Sequence, residues 1–259
     1  MSRRAAQARL LFAIEWICHT LWLAQRREPE LLTLQEERGS TGFPHYILSR
    51  AGILPDQDWT EAIYVLPGSL VDHLRGRCLA LGPSDYFQTS VAAGAAALRR
   101  LAPSADGSLL GELARGSRPQ GRLPQAWHRL ALPAGSDQEL LWAAMTLREN
   151  RARAHYRGAA ARGLDPLSLL VVSEIWRGRD PAPVTGFFRW GRADLEASLE
   201  RLRDHGWLDP RGGLTAAGRA RREALELETD DHTIRLLAPL PDRELDRLVA
   251  AVPDPQARY

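Results

Sequence analysis

LRDHGWLDPRGGLTAAGR, residues 202–219, decides the fold of this 259-residue chain. Its first part closes a helix that begins at "GRADLEASLERL", and "PRGG" is a tight turn rich in the residues that turns demand. "LTAAGR" then opens a long helix, with Thr215 placed to accept hydrogen bonds from the first amides. Upstream, "DPLSLLVVSEIWRG" reads as a buried helix and "PAPVTGFFRW" as a short second one. Three helices, a short extended pair about a turn, and a following helix make a winged-helix module.

Working outward, "SDQE" places Ser136 and Glu139 in a capping-box pattern, so a long helix is expected from there to about residue 162, stopping at Gly163. Residues 103–136 are rich in Gly, Pro, Ser and Arg, and read as a linker or surface excursion with one short helix at about 109–115. The front half reads as a series of helices: 5–26, 28–37, a short one ending near Pro55, two runs split by "PG" at 67–68, and one beginning after Ser84. "PDRELDRLVAAV" supplies a last helix. The expected architecture is therefore mainly α: a helical domain over 1–102, an irregular segment over 103–136, and a long central helix plus winged-helix domain with a minimal β-wing over 137–259.

The residues that carry a family likeness run from Leu141, Trp142, Thr146, Arg148, Glu149, Arg151 and His155 through Gly163, Leu164 and Asp165. They continue at Trp190, Gly206, Leu208, Asp209, Leu214, Thr215, Gly218, Glu226, Thr229 and Asp230. In this pattern the chain resembles the MarR-like winged-helix regulators, and more closely an actinobacterial helix-turn-helix family of similar length. The resemblance is good over about 138–250 and loose in the front half. It implies the winged-helix fold and, through MarR-like relatives, duplex binding. Asn150 stands where that family has a His, and Ala152-Arg153-Ala154 where it has Gly-Asp-Gly. Any metal held there by His and Asp in relatives would lack two ligands in this chain.

Composition excludes several classes. All 34 basic residues are Arg against 32 acids, and the net charge of +2 is too small to imply nucleic acid or membrane by itself. Two cysteines, Cys18 and Cys78, make neither a disulfide framework nor a metal site. The apolar run near the N-terminus is interrupted by Glu15 and His19, no segment reaches membrane-spanning length, and a cytoplasmic protein is expected. No His pair has metal spacing, and there is no phosphate loop or dinucleotide fingerprint, so no metal and no cofactor is expected. His73, His128, His205 and His232 read as surface or capping residues, while His19 and His45 lie in the loosely matched front region.

Duplex binding would use the third helix of the module, with Arg192, Arg201 and the turn's Arg211 as its contacts. That helix also carries Asp194, Glu196, Glu200 and Asp204, and residues 160–259 hold 15 Arg against 17 acids. A reader of net negative charge lacks the phosphate contribution that dominates affinity, which weighs against DNA as a partner. Arg219, Arg221 and Arg222 form a basic cluster after the turn, expected to be solvated, paired with Glu223 and Glu226, or in touch with backbone.

The long helix carries a second possibility. Leu141, Ala144, Arg148, Arg151 and His155 share one stripe, and Trp142, Met145, Glu149, Ala152 and Tyr156 the stripe beside it. Charged groups thus continue a core-facing surface, where burial is costly unless they are paired. They read either as a structural clamp or as a pocket in which Arg148 or Arg151 grips a carboxylate or carbonyl and Glu149 or His155 moves a proton. Trp142, Tyr156, Phe43, Tyr46, His45, Trp59 and Tyr64 would serve as its walls. Two functions follow. One is a small-molecule-binding protein on a winged-helix scaffold, a cofactor-independent isomerase, cyclase or lyase of specialised metabolism. The other is a MarR-like regulator whose pocket senses the ligand. In either case the expected partner is a small organic molecule, and the chain is a monomer or homodimer.

Overall fold

The computed structural model describes residues 6–7, 10–11, 14–15, 18, 29, 32–33, 36, 50–54, 59, 63–80, 83–101, 107–130, 137–238 and 240–251. Among them the chain is helical, with no strand and a single antiparallel bridge between Leu208 and Leu214. It packs as two compact units. The first takes Met1–Gln57, Leu74–Arg153 and His232–Tyr259; the second takes Asp58–His73 and Ala154–Asp231. Helices α1 (Gly68–Ala80), α5 (Asp137–Ala161) and α9 (Ala216–Leu237) each contribute residues to both.

The first unit also holds α2 (Pro83–Leu101), α3 (Gly107–Gly116), α4 (Arg122–Arg129) and α10 (Asp242–Ala251). The segment 103–136, expected to be irregular with one short helix, thus contains two. Leu110, Leu113, Leu123 and Trp127 are buried from them, and that apolar burial is what orders a stretch whose composition suggested a linker. Trp127 is fully buried: its indole N–H donates to the Arg50 carbonyl at 3.2 Å and its ring meets Phe87 edge-on at 5.0 Å. Trp142 on α5 donates in turn to the Trp127 carbonyl at 2.6 Å. Ser136, the expected cap of α5, lies outside the described residues; Glu139 pairs with Arg115 of α3.

In the second unit α5 ends at Ala161, Gly163 follows at φ 73°, and the Leu164 amide closes back on the Ala159 carbonyl at 3.0 Å. Asp165 caps α6 (Pro166–Trp176) through the Ser168 amide at 2.8 Å, with Pro166 at the first helical position. Next come α7 (Ala182–Phe187) and α8 (Arg192–Asp204), with Arg189 in the turn between them at φ 65°. Helices α6, α7 and α8 pack pairwise. Their core is Leu167, Leu169, Val171, Val172 and Leu202, with a buried Ser168–Ser198 hydroxyl pair at 3.0 Å.

After α8, the Asp209 carboxylate accepts from the amides of Arg211 (2.8 Å) and Gly213 (3.0 Å), which ties the turn shut between the bridged Leu208 and Leu214. Thr215 caps α9 through the Gly218 amide at 2.8 Å. A side chain at Gly218 would run into the Trp207 carbonyl, which is the physical reason for glycine there. Gly158 likewise lets α5 approach α9, because a Cβ at that position would lie 2.7 Å from Leu225.

Candidate functional site

The charged stretch of α5 falls into two settings. In the first unit Glu149 is buried at 2% exposure and is gripped at both oxygens by Arg50, Nε to Oε1 at 3.0 Å and Nη2 to Oε2 at 2.9 Å. Arg148 adds a third bond to Oε1 at 2.7 Å. Burial alone would raise the carboxyl pKa, but the charges and hydrogen bonds of Arg50 and Arg148 prevail and hold it below its ordinary value. Glu15 extends the cluster, 3.5 Å from Arg148 and 4.0 Å from Arg151. Cys18 is buried three residues beyond Glu15. Burial first, then the Glu15 charge, pushes its thiol pKa up, so it stays protonated and unreactive.

In the second unit His155 and Tyr156 meet different partners. His155 Nδ1 lies 3.1 Å from the Thr229 hydroxyl, whose one proton is donated to the Leu225 carbonyl at 2.7 Å. Nδ1 must then be the donor, which puts the lone pair of the neutral ring on Nε2. Tyr156 stacks on Tyr64, with centroids 4.9 Å apart and planes at 19°. The Tyr64 hydroxyl donates to the Leu164 carbonyl at 2.9 Å, and burial, then Asp165 and Tyr156, raises its pKa. Trp59 is fully buried in the same unit and Trp142 is buried in the first. Phe43, His45 and Tyr46 lie outside the described residues.

Helices α7 and α8, with the turn between them, stand where the sequence places the helix pair of the expected winged-helix module. Ser198 and Leu202 face inward, and the opposite line of α8 is Ala193, Glu196, Glu200 and Asp204, all exposed. Arg192, 91% exposed, pairs with Glu196 at 2.8 Å, and Arg201 pairs with Asp165 at 3.0 Å. Arg211 is exposed on the turn. The unit as a whole carries twelve Arg against sixteen carboxylates, a formal −4. Two of the three arginines after the turn are engaged: Arg221 donates to the Gly206 carbonyl at 2.8 Å and covers Trp207, while buried Arg222 pairs with Glu226 at 2.6 Å over Trp176; Arg219 is exposed.

The first unit also holds a cavity of about 660 Å³ where α3, α9 and α10 converge. Leu113, Leu236, Leu240 and Pro241 line it with apolar surface, and Glu112, Arg118, Arg235 and Glu244 add both signs of charge. Nothing in the spacing of these residues advertises a cavity, because one part comes from α3 and its end, and the other from α9, α10 and their connection more than a hundred positions on. Arg50 and Glu15 went equally unseen as partners of Glu149 and Arg148, although Glu15 already interrupts an apolar run. No group of three His, Cys, Asp or Glu that could hold a metal occurs among the described residues.

The chain matches a helix-turn-helix family over residues 18–258 and belongs to it. No curated protein and no solved structure matches it. No described helix is long and apolar enough to cross a membrane.

Proposed function

We propose that this protein binds a small organic molecule and uses its helix-turn-helix unit as scaffold. The observation that carries the reading is the cavity of about 660 Å³, a size typical of small-molecule pockets, with four charged side chains in its lining. The outward face of α8 supports it from the other side. A line of Ala193, Glu196, Glu200 and Asp204 meets phosphate with like charge, and the flanking Arg192 and Arg201 already hold acids of their own. The turn at 209–213 is then a vestigial wing of the MarR-like type. Proton transfer by Glu149 is the weakest part of an enzymatic reading, because a carboxylate held by two guanidiniums is a poor base; its geometry suits a clamp better.

A second reading, a ligand-responsive DNA-binding regulator, is favoured by one finding: membership of a helix-turn-helix family. The two are separated by titrating the protein with random duplex DNA and with the duplex upstream of its own gene, at low and moderate salt. Absence of binding at low salt is the expected result. Salt-sensitive binding that prefers the upstream duplex would establish the regulator and overturn the scaffold reading.

A further inference from the structure

We infer that the cavity formed by α3, α9 and α10 takes a zwitterionic, amphipathic molecule of the kind a short apolar peptide presents. This deepens the small-molecule reading above and rests on it. Its lining contains two carboxylates, Glu112 and Glu244, and two guanidiniums, Arg118 and Arg235. Among the described residues no ion pair joins either acid to either Arg. A site of one sign selects a singly charged ligand. A site holding both signs apart is complementary to a ligand whose own charges are separated by an apolar body.

Glu244 adds a more local observation. Its Oε2 is buried and accepts no hydrogen bond, and Arg247 stands 3.6 Å away, near enough to pair but beyond hydrogen-bond reach. A carboxylate oxygen withdrawn from water without a donor is costly. The Arg247 charge offsets that cost and the buried oxygen is closed to a ligand, so Glu112 is the acid left for an ammonium group. The apolar surface of Leu113, Leu236, Leu240 and Pro241 buries the ligand's aliphatic part.

Isothermal titration calorimetry with three peptides on the full chain tests this: trileucine, its N-acetyl form (anion only) and its C-terminal amide (cation only). Trileucine is expected to bind at least about tenfold more tightly than either blocked form, roughly 1.4 kcal/mol. Glu112→Gln should weaken trileucine and the amide but not the acetylated peptide, and Arg118→Gln should weaken trileucine and the acetylated peptide but not the amide. Both side chains are exposed, so neither change threatens folding. Equal affinity for all three peptides, no binding by any, or binding that ignores both substitutions overturns the proposal. These outcomes are independent of the DNA titration, so loss of the zwitterion and loss of the scaffold reading are separately visible.

Discussion

Arg50 and Glu149, ninety-nine positions apart, are joined by two parallel hydrogen bonds of 3.0 and 2.9 Å with neither side chain more than 4% exposed. The fork of the guanidinium matches the carboxylate edge to edge, a geometry that Lys cannot reproduce. Removing one member strands the other. Arg50→Met is expected to destabilise the chain by about 3–5 kcal/mol in urea unfolding, since it takes the bidentate partner from a buried carboxylate and leaves the single bond from Arg148. A loss under about 1 kcal/mol would mean that Glu149 does not depend on the pair.

The same carboxylate sets a pH dependence. Its folded pKa lies below the unfolded value of about 4.3, so its contribution is complete above that pH and lost as pH falls through the folded value. Stability should therefore decline below about pH 4, and Glu149→Gln should flatten that part of the profile while lowering stability at neutral pH. Parallel profiles for the two proteins would assign the acid sensitivity elsewhere.

His155 should be a single tautomer. Thr229 gives its proton to the Leu225 carbonyl, so nitrogen NMR of the neutral ring is expected to show protonated Nδ1 and bare Nε2. Thr229→Val removes this acceptor and should lower the share of the Nδ1-protonated tautomer. The opposite tautomer in the parent protein would contradict the hydroxyl orientation.

Gly218→Ala is expected to be disruptive despite its small size. The added methyl meets backbone at Trp207, which cannot swing aside as a side-chain tip can. A cost in the overpacking range of about 1–3 kcal/mol or more is expected, with a shift in Trp207 fluorescence as the reporter. The neighbouring Ala216 and Ala217 are exposed and should accept Ser with little change, which makes them the controls.

On the scaffold reading proposed above, charge rather than shape keeps α8 from a duplex. Glu200→Arg with Asp204→Arg changes the outward line by four charges, and should confer binding to random duplex that weakens steeply with added salt. If the double variant remains inert at low salt, something other than charge keeps this helix from a duplex.

The helix-turn-helix was legible because its signals are local: Asp165 before Pro166, Gly163 after α5, Thr215 before α9, and the tight run around Pro210. Each acts within a few residues. The segment 103–136 misled because Leu110, Leu113, Leu123 and Trp127 are too sparse among Gly and Pro to advertise a buried face. The polar stretch of α5 was visible as an anomaly, but its partners were not. Glu15 lies in a distant helical segment and Arg50 ninety-nine residues from Glu149, and no periodicity links such positions. The cavity is harder still, being a void defined by what three helices fail to fill.

Helices α5 and α9 pass from one unit to the other without a break in the helix, and the second unit also borrows residues 58–73 from the front of the chain. The helix-turn-helix here is therefore no portable cassette. No single cut releases it whole: a start at 154 amputates a helix in mid-course and discards Trp59 and Tyr64, and a stop at 231 does the same to another. A cut at either boundary passes through a helix, so expression of the second unit by itself is expected to yield no folded product.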